Sequence, residues 1–350
     1  MFLAYTLLYH AIIGFASGRG RGSDNVWGSH MNPGNEKKTV VIETTHNDYS
    51  GGGKYILQLA FALSNFCDVH LTNFNSDDPM LSGIGYRIKP YHNDFTPDLF
   101  IASSHAGLID PKGKRNGYVC YFPRAAARER ARQYDFVISI CDFSDRHQKV
   151  VWGMPSYIIN PYISMDKFYL AGKEDLIICV GNYFCEPDGH SKNQLMILNW
   201  FVENRLYERY KLVFTGFIVR QTYYDHLLRK ARAYPNIEVL TSVPFERLTE
   251  LYSRARFLVH ANGYQRKAPE QTEHYGYIAV EAMASGCQPI VHNSGGCSEF
   301  PGVRVWNNFN EIVPLLGPTD PRGLRELARS YSYDHVVEQQ VKPFLEAVFL

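Results

Sequence analysis

The sequence predicts an α/β protein made of two doubly wound, parallel-sheet domains that face a cleft. Short apolar strands alternate with helix-length segments from Lys38 onward, the pattern of parallel sheets covered on both faces. The alternation lapses over NPYISMDKFYLAGKED, residues 160–175, and resumes at Leu176. A chain of 350 residues is long enough for two separate cores.

The first series opens with TVVIETT (39–45), a β-rich apolar run. Ser50-Gly51-Gly52-Gly53 follows as a glycine loop, and KYILQLAFALSNF as a helix with Ile56, Leu59, Ala60 and Leu63 on one stripe. DVHLTNF (68–74), DLFIASS (98–104), YVCYF (118–122) and FVISI (136–140) read as strands, with RAAARERARQ (124–133) as a helix before the last. The second series has strands at 176–183, 210–216, 237–240, 257–261 and 288–293. Helices are expected between them at 223–234, 244–255 and 279–285. The last stretch, SYDHVVEQQVKPFLEAVFL, reads as a helix interrupted by Pro343.

A net charge of +1 gives no general attraction to nucleic acid, and none is expected as a partner. The seven cysteines form no C-x-x-C pair and lie mostly in apolar runs. That suits buried thiols in a reducing, cytoplasmic setting rather than a disulfide framework or zinc site. Residues 1–36 are set apart as a tail, tag or spurious extension, because Met1–Ala16 is apolar but lacks a basic flank and Gly28-Ser29-His30-Met31 looks like a cloning scar. A weak signal or anchor segment is the competing reading of that stretch.

The chemistry concentrates in EHYGYIAVEAMASGCQPIVHNSGG, residues 273–296. Glu273 sits in a loop, and Glu281 lies eight positions on, inside a helix. Gly276 and Tyr277 mark the helix start, where free N–H groups can hold hydroxyl or phosphate oxygens. A cleft carboxylate can accept two hydrogen bonds from a vicinal diol such as a ribose.

This run resembles the retaining GT-B glycosyltransferases of glycosyltransferase family 4. Two glutamates stand with seven residues between them, followed by Ala282-Met283-Ala284, Gly286, Pro289, Gly295-Gly296 and Glu299. The likeness extends over most of residues 38–345. It implies two Rossmann-like domains: an acceptor-side domain at 37–165, a nucleotide-sugar-binding domain at 166–330, and a helix at 331–350 packing back toward the first. It implies transfer of a hexose from a GDP- or UDP-sugar to an acceptor hydroxyl on a glycan, lipid or small molecule. The nucleoside diphosphate sugar is then a co-substrate, and no cofactor is expected. Glu281 would hold the ribose diol, and Glu273 with the amides of Gly276 and Tyr277 would hold the sugar. Lys192 and Gly51, Gly52 and Gly53 would hold the diphosphate, with His190 a weaker candidate beside Lys192. The Val243–Pro244 loop would meet the base edge.

Two positions depart from the family pattern. Asn182 follows Gly181 where an arginine is common, and Tyr121 stands where many relatives have a histidine near the transferred sugar. His105 is an alternative for reaching the cleft. No D-x-D triplet occurs, so no metal is expected. Arg124, Arg128 and Arg132 recur every four residues and could meet a membrane surface, although a solvated face is the commoner meaning of such a stripe. A non-catalytic sugar-nucleotide or glycan-binding protein, or a sugar-nucleotide epimerase on the same fold, stays open.

Overall fold

The structure is a computed structural model and describes residues 37–45, 51–72, 87–104 and 108–350. The expected tail at 1–36 and His105 lie outside the described residues.

Two all-parallel sheets form the architecture. The first contains β1 (Thr39–Thr44), β2 (Asp68–Leu71), β3 (Ile88–Pro90), β4 (Leu99–Ser103), β5 (Arg115–Cys120), β6 (Phe136–Ser139) and β7 (Ser156–Ile158). Its strand order is β3-β2-β1-β4-β5-β6-β7. The second contains β8 (Glu174–Val180), β9 (Lys211–Gly216), β10 (Ile237–Thr241), β11 (Ala255–His260), β12 (Gln288–His292) and β13 (Arg304–Trp306). Its order is β10-β9-β8-β11-β12-β13. Each sheet therefore reverses direction beside its first strand, between β1 and β4 and between β8 and β11. Ligands of such sheets bind at the carboxyl ends of the strands flanking that reversal.

Helices cover the sheets: α1 (Gly51–Leu63), α2 (Asp142–Val151), α3 (Gln194–Glu203), α4 (Gln221–Ala231), α5 (Phe245–Arg254), α6 (Tyr277–Ala284), α7 (Pro321–Ala328) and α8 (Lys342–Phe349). The expected glycine loop is corrected here. Gly51–Gly53 form the first turn of α1 rather than a loop before it. The expected apolar stripe of Ile56, Leu59, Ala60 and Leu63 is buried, and burial extends beyond it to all of Gly53–Ala60. α1 is enclosed because the second domain packs on the side facing away from the first sheet.

The arginine-rich helix expected over 124–133 is broken. Ala125–Ala127 is a 3₁₀ turn and Arg128–Ala131 a single α turn, while Arg124 has extended backbone. Arg124, Arg128 and Arg132 therefore do not form one continuous helical stripe. The last helical stretch is continuous from Tyr333 to Phe349, but its α-helical pattern is interrupted just before Pro343. A π turn at Val337–Val341 leads directly into α8, and this local widening accommodates Pro343, which cannot donate to the preceding turn.

Two chain crossings join the domains. Ile163 pairs with Ser332 in a parallel bridge, so the outgoing and returning segments lie side by side. α8 then packs on the first sheet, where Phe344 meets Phe136 and Tyr157 edge-on. Six cysteines are buried, Cys185 is exposed, and all seven are free thiols.

Candidate active site

The site is built at the carboxyl ends of β8 and β11. Strand β9 ends on Gly216, where an added Cβ would lie 2.0 Å from the Gly181 carbonyl oxygen. Only a bare backbone lets the two strand ends approach this closely. The Lys192 stem lies over Gly181, whose own Cβ would stand 3.2 Å from Lys192 Cγ. Lys192 is thereby steered toward β11 rather than into solvent.

Lys192 Nζ forms an ion pair with Glu273 Oε2, their side chains 20% and 22% exposed. Asn262 Nδ2 donates to the same oxygen at 3.4 Å, and His260 Nε2 stands 3.3 Å from it. Three groups thus converge on Oε2, and Oε1 is left without a partner among the described residues. Burial alone would raise the Glu273 pKa, but the Lys192 charge and the His260 contact outweigh it and hold the carboxyl well below the usual carboxylate range. The His260 ring nitrogens and Asn262 Oδ1 are buried without a hydrogen bond of good geometry, and so are His190 Nε2 and His274 Nε2. Buried polar atoms are rarely left so, and a cluster of them marks a place for a polar ligand.

Burial lowers the pKa of His190, His260, His274 and His292 from 6.5. Below about pH 6.5 the unfolded chain takes up protons that the folded chain refuses, so stability should fall as pH falls through that value. Melting curves recorded between about pH 7.5 and 5.5 should show the Tm dropping before ordinary carboxylates titrate. A flat Tm over that interval would contradict it.

α6 carries the second glutamate. Gly276 precedes it with φ +91, and a Cβ there would lie 2.5 Å from Cys297 Cβ. Gly295 and Gly296 let their loop lie on the backbone of Glu273 and His274, with Gly296 N donating to Glu273 O at 2.8 Å. The other end of α6 is held by two cations. Lys173 Nζ donates to the carbonyls of Tyr252, Ser253 and Ser285, and Arg325 to those of Ala284, Phe168 and Met165. Cations suit the negative end of a helix. Glu281, inside α6, faces the first domain. Its Oε1 is 3.4 Å from Lys54 Nζ, and its Oε2 accepts from Tyr252 OH at 3.2 Å.

The structure therefore brings Lys192, Glu273 and Gly276 together, and sets Tyr277 and Glu281 against α1. Tyr277 OH donates to Gln58 Oε1 at 2.8 Å, and Gly51 lies 3.9 Å from the Tyr277 ring when given a Cβ. Tyr121 is tied to the first turn of α1, where its hydroxyl donates to the Gly52 carbonyl at 2.9 Å. Asn182 Oδ1 accepts from Phe217 N at 3.4 Å, a contact between loops. Val243 and Pro244 lie just before α5, with Pro244 exposed. Lys54, Tyr252, His260 and Asn262 are site residues that sequence reasoning missed. His260, a polar residue ending a buried apolar strand, carried the one readable signal.

Residues 164–302 match the family model described as Glycosyl transferases group 1. The chain carries a glycosyl transferases group 1 domain. That domain holds Lys192, His260, Glu273, Glu281 and the Gly295–Gly296 loop, whereas Gly51–Gly53 and Tyr121 lie outside it. No curated protein matches the sequence. Among solved structures, a glycosyltransferase from Rickettsia africae superposes with a TM-score of 0.66 at 12% identity, over 88% of this chain and 98% of that one. HepE from Anabaena, in complex with UDP and glucose, superposes with a TM-score of 0.65 at 12% identity, over 89% and 100%. The lipopolysaccharide outer core galactosyltransferase WaaB gives 0.64 at 12% identity, over 89% and 99%. The two parallel sheets and their helices form the GT-B glycosyltransferase fold. Among the described residues, no helix is long and apolar enough to cross a membrane, and no group of three or more His, Cys, Asp or Glu could hold a metal ion.

Proposed function

We propose that the protein is a retaining, family 4 glycosyltransferase that moves a hexose from a nucleoside diphosphate sugar to an acceptor hydroxyl. The observation that carries this reading is the Lys192–Glu273 pair, with His260 and Asn262 converging on the same carboxylate oxygen. A fixed carboxylate with one oxygen unused is suited to sugar hydroxyls, and an adjacent ammonium to a leaving diphosphate. As the sugar departs, negative charge grows on the diphosphate, and a cation already in place stabilises it without reorganisation. Glu281 takes the ribose diol, and the amides opening α1 and α6 take phosphate and sugar oxygens. Charge neutralisation by side chains and amides makes the reaction independent of a divalent metal. The acceptor enters from the first domain, with a glycan, lipid or small-molecule hydroxyl as its reacting group. UDP is the first nucleotide to try, because HepE was crystallised with UDP and glucose.

A thermal-shift panel of UDP, GDP and ADP tests the site. The matching nucleotide at a hundred times its Kd should stabilise the fold by about 2.7 kcal/mol. Acceptor-dependent release of nucleotide from the matching sugar donor, in excess EDTA, tests the reaction. A second reading, a non-catalytic sugar-nucleotide-binding protein, is favoured by Glu281, whose two oxygens are both engaged within the protein. Binding without acceptor-dependent release would select it. No stabilisation by any of the three nucleotides would sink both readings.

A further inference from the structure

The Lys54–Glu281 pair crosses between the domains inside the packing of α1 against α6. The two side chains are 8% and 9% exposed. Lys54 Nζ also stands 4.0 Å from the centre of the Tyr277 ring. An ammonium has three N–H donors. Among the described residues, this one meets a single carboxylate oxygen and one ring face. It also sits in the first turn of α1, which contains no acidic residue and whose dipole disfavours a cation. Burial lowers the Lys54 pKa, and the Glu281 charge and hydrogen bond oppose that shift only in part.

Glu281 is the carboxylate that the proposed function assigns to the ribose, and a role for Lys54 in ligand choice rests on that reading. Glu281 is only 9% exposed, with Lys54 on one oxygen and Tyr252 on the other, so a diol reaches the carboxylate only where the side chains covering it give way. We propose that Lys54 competes with the ribose diol for Glu281 and thereby makes the site reject nucleosides in favour of nucleoside diphosphates. A nucleoside that displaces Lys54 leaves a buried ammonium with no anion, which is costly. A nucleoside diphosphate brings its own anion to the same neighbourhood, and the displaced ammonium moves to it. Lys54 therefore sets which ligands the site accepts.

The test is calorimetric titration of the full chain with uridine and UDP, and with guanosine and GDP. The wild type should prefer the diphosphate strongly. Lys54→Met should bind the nucleoside more tightly than wild type, and its preference for the diphosphate should shrink about tenfold or more, the worth of one charge-assisted hydrogen bond. Lys54→Arg should keep the preference. If Lys54→Met does not fold, Lys54→Gln removes the charge, keeps an N–H donor on Glu281, and should shrink the preference in the same direction. An unchanged preference in the neutral variants, with wild-type binding intact, overturns the proposal and spares the site reading. Failure of the wild type to bind any of these nucleotides overturns the site reading and the proposal together.

Discussion

Lys192→Ala should lower kcat/KM by about two to three orders of magnitude, the usual loss when one stabiliser of transition-state charge is removed. The structure places that charge with care. Gly181 has no side chain to obstruct the Lys192 stem, and the ammonium reaches Glu273 Oε2. Lys192→Arg should recover only part of the rate, because a planar fork does not occupy the place of a compact ammonium. The Lys192 charge is also the leading influence holding the Glu273 carboxyl low. In Lys192→Ala that carboxyl should titrate at higher pH, and the acidic limb of the residual pH–rate profile should move upward with it. A residue that only supported the fold would not shift that limb. Kinetics at saturating acceptor, with donor affinity measured separately, provide the check. Wild-type behaviour in both variants would detach Lys192 from the chemistry and leave the binding-protein reading as the better one.

Gly295→Ala should damage both stability and activity. Gly295 has φ +75 and ψ −178, a conformation open essentially to glycine alone. An added Cβ would lie 2.2 Å from the Glu273 carbonyl oxygen and 2.8 Å from its carbon. These are backbone atoms and cannot swing aside. Strain of about 1–3 kcal/mol adds to an overpacking cost of about 1–3 kcal/mol. The Tm should fall by roughly 5–10 °C. Activity should fall further than the stability loss accounts for, because the displaced carbonyl belongs to Glu273 itself. Gly317→Ala is the control, since its Cβ would meet nothing within 4 Å. Equal melting temperatures for the two variants would refute the argument.

The elements legible in the sequence are those whose pattern is local. β8, β9, β11 and β12 are long buried apolar runs and read as strands. The spacing from Glu273 through Glu281 to Gly295-Gly296 is readable because it lies in one continuous loop–helix–strand–loop stretch. The edge strands β3 and β13 are not, since three residues carry too little alternation to stand out. The arginine-rich segment has helical composition, yet Arg124 is extended and its carbonyl accepts from Trp152 Nε1, a partner 28 positions away that the local sequence does not name. The site residues missed are joined across long stretches of chain. Lys54 and Glu281 are 227 positions apart, and neither sequence neighbourhood names the other. Tyr121 is readable as a departure from the family pattern, but its hydrogen bond to the Gly52 carbonyl, 69 positions away, is not.

The packing of α8 on the first sheet has a consequence for how the molecule comes off the ribosome. The second domain is one continuous stretch of sequence, whereas the first is assembled from two stretches separated by it. Val336, Val341, Phe344, Leu345 and Val348 join the same core as β1, β4 and β6. During synthesis the second domain can complete its core first, while the first waits with Phe136 and Tyr157 uncovered. Translation that stops short of α8 therefore leaves a nascent chain with a finished second domain and a sticky, unfinished first one, the kind of species that chaperones retain.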